Sequence, residues 1–307
     1  MNAQYGPPTD LDDYNRKSQA MAYDGERAMF EAYSRNKYIS TGVIQWMLND
    51  AWPSVIWHLY DYYLEPAGGY FGTKKANEPI HIMYSYDDCS IAVVNSTYKA
   101  LSGMKASVRV VDFDLKELFS QEKAVDVGVD DVQRLLHIPE IRSDVNPTVY
   151  FLQLNLKDAT GRLLSSNFYW LSAKKPEFDW KNTNVVSTPI TSYGDMTRLL
   201  NLPKMHLKAT AHLRRAKDGE SVQVRLKNRS AALAFQVRLV VEAGKPGEEI
   251  LPVLWEDNYV SLLPGEERTV EARFPGKHSI GSHPTLKISG WNIEPETLVI
   301  GRDRSSR

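Results

Sequence analysis

The stretch Ser40-Thr41-Gly42-Val43-Ile44-Gln45-Trp46-Met47-Leu48-Asn49-Asp50-Ala51-Trp52-Pro53-Ser54, running on through Trp57, His58, Leu59, Tyr60 and Asp61, decides how this 307-residue chain is read. Its apolar run, Val43, Ile44, Trp46, Met47 and Leu48, has the length of a fully buried strand rather than of a helix face. The run then breaks into Asn49-Asp50 and Trp52-Pro53, which predicts a strand opening into a loop. Three tryptophans, Trp46, Trp52 and Trp57, crowd this stretch together with amide, carboxylate and imidazole groups. Such a mixture suits a sugar pocket, where indole faces stack on C–H surfaces and polar groups fix hydroxyls. Large aromatics also serve plain packing, so the residues alone leave both readings open.

Gln45 to Ser54 resembles the Trp-x-Leu-Asn-Asp-x-Trp-Pro segment at the last barrel strand of glycoside hydrolase family 2, most like its exo-β-glucosaminidase branch, with the β-mannosidases next. Further matches follow in order: Tyr70 to Pro79, Tyr84-Ser85-Tyr86-Asp87-Asp88, Val94-Asn95, Tyr169-Trp170-Leu171-Ser172, Leu251 to Asn258, Leu263-Pro264-Gly265-Glu266 and Ser289-Gly290-Trp291-Asn292. The resemblance covers nearly the whole chain, but only the C-terminal third of such an enzyme. It implies a mainly β fold: two immunoglobulin-like β-sandwiches preceded by an α/β remnant of the last strand and helices of a TIM barrel.

Retaining glycosidases of this kind use two carboxylates about 5–5.5 Å apart, one as acid/base and one as nucleophile. In the family both are glutamates on earlier barrel strands, before the segment that opens this chain, so the resemblance implies no catalytic residue here and no activity for the chain alone. It implies that Trp46 is the stacking platform for the reacting sugar, with Asn49, Asp50 and Trp52 at the rim. Asp50 is the one carboxylate of that stretch suited to chemistry, and one carboxylate does not make the pair. The implied ligand is a saccharide of β-linked glucosamine, of chitosan type, or of mannose, and the implied partner is a separate chain carrying the rest of the barrel. The other reading is a free-standing carbohydrate-binding or interaction protein derived from such an enzyme.

Composition bounds the remaining classes. A formal net charge of −1 with interspersed signs gives no footprint for nucleic acid or an acidic membrane. The single cysteine, Cys89, excludes an internal disulfide. Met1 to Pro8 lacks the basic and apolar regions of an export signal, and no run reaches the ~20 apolar residues of a membrane span, so a soluble chain is expected. There is no Gly-x-Ser-x-Gly elbow, no His-Glu-x-x-His and no Cys-x-x-Cys, and the seven histidines are scattered; neither a cofactor nor a metal is expected.

Along the chain, Thr9-Asp10-Leu11-Asp12 reads as a capping box with Thr9 as cap. Tyr14, Ser18, Met21, Ala22, Gly25, Met29, Ala32 and Tyr33 then recur at helical steps, predicting one amphipathic helix over about 11–36. Glu26 and Glu31, beside arginines, read as solvated ion pairs. A short helix is predicted over Trp57 to Tyr63, stopped by Glu65-Pro66-Ala67-Gly68-Gly69, with Gly68 to Gly72 as a tight link onward. From Pro79 the period becomes two: Ile80 to Tyr86, Met104 to Val110, Val125 to Val129 and Tyr150 to Leu156 predict the strands of a sandwich. Asp158-Ala159-Thr160-Gly161 predicts a hairpin turn, and Val132 to Leu136 a helical turn between strands.

Alternation lapses over Lys174 to Met205, with Trp180 and Tyr193 as candidate anchors, and resumes in strands around Leu207 to Leu213, Val222 to Leu226, Phe235 to Val241, Leu251 to Trp255, Thr269 to Phe274 and Leu286 to Trp291. The expected division is therefore a barrel remnant over 1–66, a sandwich over 67–173, a linker over 174–205, a second sandwich over 206–300 and a tail over 301–307. Trp255, Asp257, Asn258, Trp291 and Asn292 invite a second sugar patch, but inward tryptophans and turn-forming Asn and Asp explain them more simply.

Overall fold

In the computed structural model, which describes residues 1–54, 58–141, 149–216, 219–244, 247–275 and 284–302, the chain divides into two units. These are Met1–Gln45 with Gly72–Asn201, and Trp46–Phe71 with Leu202–Arg307.

The first unit opens with helices α1 (Asn2–Tyr5) and α2 (Leu11–Arg35) and takes the second half of α3 (Gly68–Ala76). Strands β1 (Ile80–Tyr84), β2 (Ser90–Asn95), β3 (Leu101–Asp112), β4 (Glu117–Val127), β5 (Asp131–His137), β6 (Val149–Lys157) and β7 (Leu163–Ser172) follow, then the short hairpin β8 (Glu177–Phe178) and β9 (Ile190–Ser192). Two antiparallel sheets, ordered β1-β2-β5 and β4-β3-β6-β7, bury their alternating residues against each other. Ile82, Tyr84, Ile91 and Val93 from one sheet meet Met104, Ala106, Val108, Val110, Leu152, Leu154 and Leu156 from the other. The opposite parity of the smaller sheet, Met83, Ala92 and Val94, forms a separate apolar patch, and His81 shares that parity. The outer edge of β1 is closed by side chains of β7, the Ile82 and Tyr84 N–H groups donating to Ser165 Oγ at 3.3 Å and to Tyr169 Oη at 3.0 Å.

The Asp158–Gly161 turn joins β6 to β7 as expected. Asp158 Oδ1 accepts from the backbone N–H groups of Thr160 and Arg162 at 2.9 and 3.0 Å, and Gly161 takes a positive φ of 87°. Val132 to Leu136, however, is strand β5 and not a helical turn, paired antiparallel with β2 from Ser90↔His137 to Asn95↔Asp131. A bulge opposite Ile91 and Ala92 lets the consecutive Leu135 and Leu136 both pack on the core, which gave their spacing its helical look.

Helix α2 forms where predicted, but its cap is Asp10, whose Oδ1 accepts from Asp13 N at 2.7 Å. Thr9 instead donates its N–H to Asp13 Oδ2 at 3.1 Å. The buried face is also not the expected apolar stripe: it runs through Asp13, Lys17, Ala20, Tyr23, Arg27 and Glu31, while Met21 is exposed. Polar groups replace oil here because each makes at least one buried hydrogen bond or ion pair. Lys17 Nζ pairs with Asp13 Oδ2 at 2.8 Å and donates to the carbonyls of Gly6 and Pro7. Glycine at position 72 follows from the close approach of α3 to α2, because a Cβ there would lie 2.2 Å from the carbonyl oxygen of Tyr23. The expected tight link at Gly68–Gly72 is thus the first half of a helix.

Lys174 to Met205 carries the β8–β9 hairpin and two 3-10 turns, Trp180–Asn182 and Thr197–Asn201. Trp180 is 72% exposed and does not anchor it; within the first unit Met196 and Leu199 are its buried apolar side chains.

The second unit is a sandwich of β10 (Lys208–Ala216), β11 (Gly219–Lys227), β12 (Ala234–Glu242), β13 (Leu254–Trp255), β14 (Val260–Leu262), β15 (Glu267–Phe274), β16 (Thr285–Ser289), β17 (Glu296–Val299) and β18 (Gly301–Arg302). Its sheets run β13-β15-β11-β10-β18 and β14-β12-β16-β17, with β18 parallel to β10 and every other pair antiparallel. Trp255 and Trp291 are core residues. Asn258 exchanges two 2.9 Å bonds with the Leu239 backbone, and Asn292 bridges Phe235 N, Leu233 O and Pro203 O. This second patch is therefore architecture.

Two expectations for the deciding stretch fail. Val43 to Leu48 forms no strand. A parallel barrel strand takes its hydrogen bonds from neighbours on both sides, and no described strand pairs with it. Nor is there a helix over the described residues His58 to Tyr63, where Tyr60 makes a single bridge to Pro66; Val55 to Trp57 lie outside the described residues. Among the described residues no helix is long and apolar enough to cross a membrane.

Candidate functional site

The sequence points to Trp46, Asn49, Asp50 and Trp52, and the structure leaves three of the four exposed. The indoles of Trp46 and Trp52 are 71% and 68% exposed, and Ile44 and Leu48 nearby are exposed as well. The Trp46–Met47 peptide is cis. Asn49 is exposed, with Nδ2 donating to the Asp50 carbonyl at 3.2 Å. Asp50 is the organised member: its Oδ1 accepts from Ser54 Oγ at 2.8 Å and stands 2.8 Å from Nδ1 of the buried His58. The Tyr60 N–H closes the segment on the Leu48 carbonyl at 3.0 Å, and Asp61 Oδ1 accepts from the N–H groups of Tyr63 and Glu65. The stretch thus presents two exposed indole faces and two carboxylates, Asp50 held by a hydroxyl beside an imidazole and Asp61 held by backbone N–H groups. A double displacement at a sugar takes a pair of carboxyl groups.

The residues on which sequence reasoning misfired lie in the first unit. Glu31, read as a solvated ion pair, is 2% exposed. Its Oε1 accepts from Tyr169 Oη at 2.8 Å and Asn167 Nδ2 at 2.7 Å and lies 2.8 Å from His81 Nε2. On the other ring nitrogen, His81 Nδ1 lies 3.3 Å from Glu78 Oε2, and Glu78 also pairs with Lys75 at 2.7 Å and accepts from Ser165 Oγ at 2.9 Å. Burial works against a charged imidazole, but the bonds to Glu31 and Glu78 outweigh it and raise the His81 pKa above its ordinary value. Glu78 is likewise opposed by burial, yet His81 and Lys75 bring it down to about 2.

Arg27 sits one turn before Glu31, fully buried, bonded to Asn167 Oδ1, the Phe168 carbonyl and Asp24, with its guanidinium carbon 3.9 Å from the Tyr169 ring centroid. Burial opposes its charge too, but Tyr86, Tyr169, Asp24 and Glu31 more than compensate and its pKa stands well above normal. Glu31 and Glu78 are thus two glutamates facing each other, but the His81 ring fills the space between them and consumes an oxygen of each. This network pins α2 to the sandwich. The signal available in the sequence was the alternation of His81 with Ile80 and Ile82, which put an imidazole on a buried strand.

Beside this network, in the same unit, lies a cleft of about 650 Å³ between α2, the β1–β2 turn, the ends of β6 and β7 and the β8 segment. Tyr84, Tyr86, Tyr150, Trp170, Phe178 and Trp180 supply its aromatic lining.

The chain resembles known proteins along nearly its whole length. A family model described as the exo-beta-D-glucosaminidase Ig-fold domain matches residues 185–293, and one described as the mannosidase Ig/CBM-like domain matches residues 87–175. The exo-beta-D-glucosaminidase of Streptomyces avermitilis is 40% identical over 306 residues, covering 96% of this chain and 33% of that enzyme. That of Amycolatopsis orientalis is 38% identical, covering 97% of this chain and 30% of the enzyme. Among solved structures, the exo-chitosanase of Amycolatopsis orientalis in complex with PNP-beta-D-glucosamine matches with a TM-score of 0.91 at 37% identity, over 97% of this chain and 36% of that one. The chain spans about a third of the length of the curated relatives it matches.

Proposed function

Because the chain is homologous to the C-terminal region of the exo-β-D-glucosaminidases of glycoside hydrolase family 2, we propose that it serves as the C-terminal part of a retaining, exo-acting glycosidase. The substrate is a saccharide of β-linked glucosamine, of chitosan type, with β-linked mannose as the alternative. The acid/base and nucleophile glutamates come from polypeptide outside these 307 residues, in the same protein or in a partner chain. In the assembled site Trp46 stacks on the reacting sugar, and Asn49, Asp50 and Trp52 line the rim.

One observation carries this reading: Ile44, Trp46, Leu48 and Trp52 stand exposed in a single segment that has no sheet of its own. A contiguous apolar stretch of this kind calls for further polypeptide against it. Support also comes from Glu31 and Glu78, which approach each other but are locked on either side of His81 and so are unfit for the double displacement. A free-standing carbohydrate-binding protein gains nothing from keeping that segment.

The test is turnover of chromogenic β-D-glucosaminides and β-D-mannosides by the chain alone and mixed with a polypeptide carrying the first two thirds of a relative. Turnover only in the mixture, lost with Trp46→Ala, is the expected result. Hydrolysis by the chain by itself overturns the division of labour.

A further inference from the structure

We propose that the cleft of the first unit is a second saccharide-binding site, separate from the Trp46 segment and built to hold a pyranose chain without cleaving it. Its volume, about 650 Å³, falls within the range of about 300–1,000 Å³ typical of small-ligand sites. At its mouth the β8 segment presents Trp180, 72% exposed, with the Phe178 ring 5.3 Å away. An exposed indole backed by a second ring gives the flat apolar face on which the C–H side of a sugar stacks.

The inner wall is polar and incompletely answered. Glu31 lines the cleft, is 2% exposed, and its Oε2 has no hydrogen-bond partner, although Oε1 has three. Ser85, also lining it and 5% exposed, has an unpartnered Oγ. Buried polar atoms of this kind are normally satisfied, and both belong to residues that line the cleft. The occupant that fits supplies hydroxyl donors and acceptors on one edge and C–H faces on the other.

The charge around the cleft agrees. Arg35 is bonded to Asp87 at 2.7 and 2.8 Å, and Asp24 to Arg27 and Tyr86, while Lys174 and Lys175 offer donors from the exposed side. Both signs are present with neither in clear excess, which selects a neutral or weakly charged polyol over a strong ion. The choice of glucosamine- or mannose-based chains as probes rests on the function proposed above; the site itself does not.

The experiment is titration of the full chain with β-1,4-linked glucosamine hexamer and with β-1,4-mannohexaose, by calorimetry and by tryptophan fluorescence. Saturable binding of at least one oligomer is expected, weakened at least tenfold in Trp180→Ala, at least threefold in Phe178→Ala, and unchanged in Tyr98→Ala, whose side chain is exposed and lies outside the cleft. Because Trp180 is exposed, its loss leaves folding intact, which the unfolding midpoint verifies. Absence of saturable binding with both oligomers overturns the proposal, as does equal affinity in Trp180→Ala. Loss of binding in Trp46→Ala alone also overturns it and assigns the sugar to the proposed reaction site instead, while the turnover assay judges that other reading independently.

Discussion

Replacing Tyr169 by phenylalanine removes one oxygen atom from the centre of the first unit and leaves its shape in place. That oxygen lies 2.8 Å from Glu31 Oε1, 2.6 Å from Asn167 Nδ2 and 3.0 Å from the backbone nitrogen of Tyr84. Tyr169 is fully buried, so no water takes over. A hydrogen bond to a charged group contributes about 1.5–3 kcal/mol, and a buried N–H left without an acceptor costs about 1–3 kcal/mol. The groups belong to one network, so their contributions do not add in full, and a loss of about 3 kcal/mol is expected. For a unit of this size that lowers the melting temperature by roughly 6–12 °C. Guanidinium unfolding followed by fluorescence of the first unit's Trp170, beside the same measurement on Tyr98→Phe, reads it directly. Tyr98 is 94% exposed, and its change stays within about 0.5 kcal/mol. A Tyr169→Phe loss below about 1 kcal/mol refutes the idea that this network holds α2 to the sandwich.

Three further outcomes rest on the same geometry. The folded-state pKa of His81 is raised above 6.5, so its contribution to stability is complete below about pH 6.5 and is lost as pH climbs through the raised value. That of Glu78, lowered to about 2, is present above its ordinary 4.5 and is lost as pH falls toward 2; urea midpoints against pH show both limbs, His81→Gln flattening the upper and Glu78→Gln the lower. Gly72→Ala forces a Cβ against the Tyr23 carbonyl and destabilises by about 1–3 kcal/mol in chemical denaturation, whereas alanine at Gly25, which meets nothing within 4 Å, does not. Trp46→Ala, truncating an exposed indole, changes the unfolding free energy by no more than about 0.5 kcal/mol but abolishes turnover in the supplemented assay.

Both sandwiches were legible because period-two alternation is a local signal: Ile82 and Tyr84, or Val222, Val224 and Leu226, announce a buried face without knowledge of what covers it. Helix α2 was legible in extent and not in orientation. Its buried face is written in Asp13, Lys17, Arg27 and Glu31, and a charge is counted as outward unless its partners, here as far along the chain as His81 and Asn167, are known. Val132 to Leu136 misled for a related reason, since a bulge set by β2 breaks the alternation that marks a strand. The Trp46 segment has the opposite fault. Its composition describes a strand that only neighbouring strands can complete, so the residues were read correctly as apolar and incorrectly as buried.

The three hydrogen bonds of Asn167 with Arg27, Glu31 and Tyr169 bear on how this protein is to be dissected. A cut at Pro79, where the strands begin, frees a sandwich whose most polar wall is orphaned: His81 without its acid, Tyr169 without its guanidinium lid, Trp170 without the Tyr5 hydroxyl that its indole nitrogen reaches at 2.9 Å. Whoever wants that module as an independent reagent must carry the N-terminal helices along with it, for in this architecture a helix acts as the third wall of an all-strand domain.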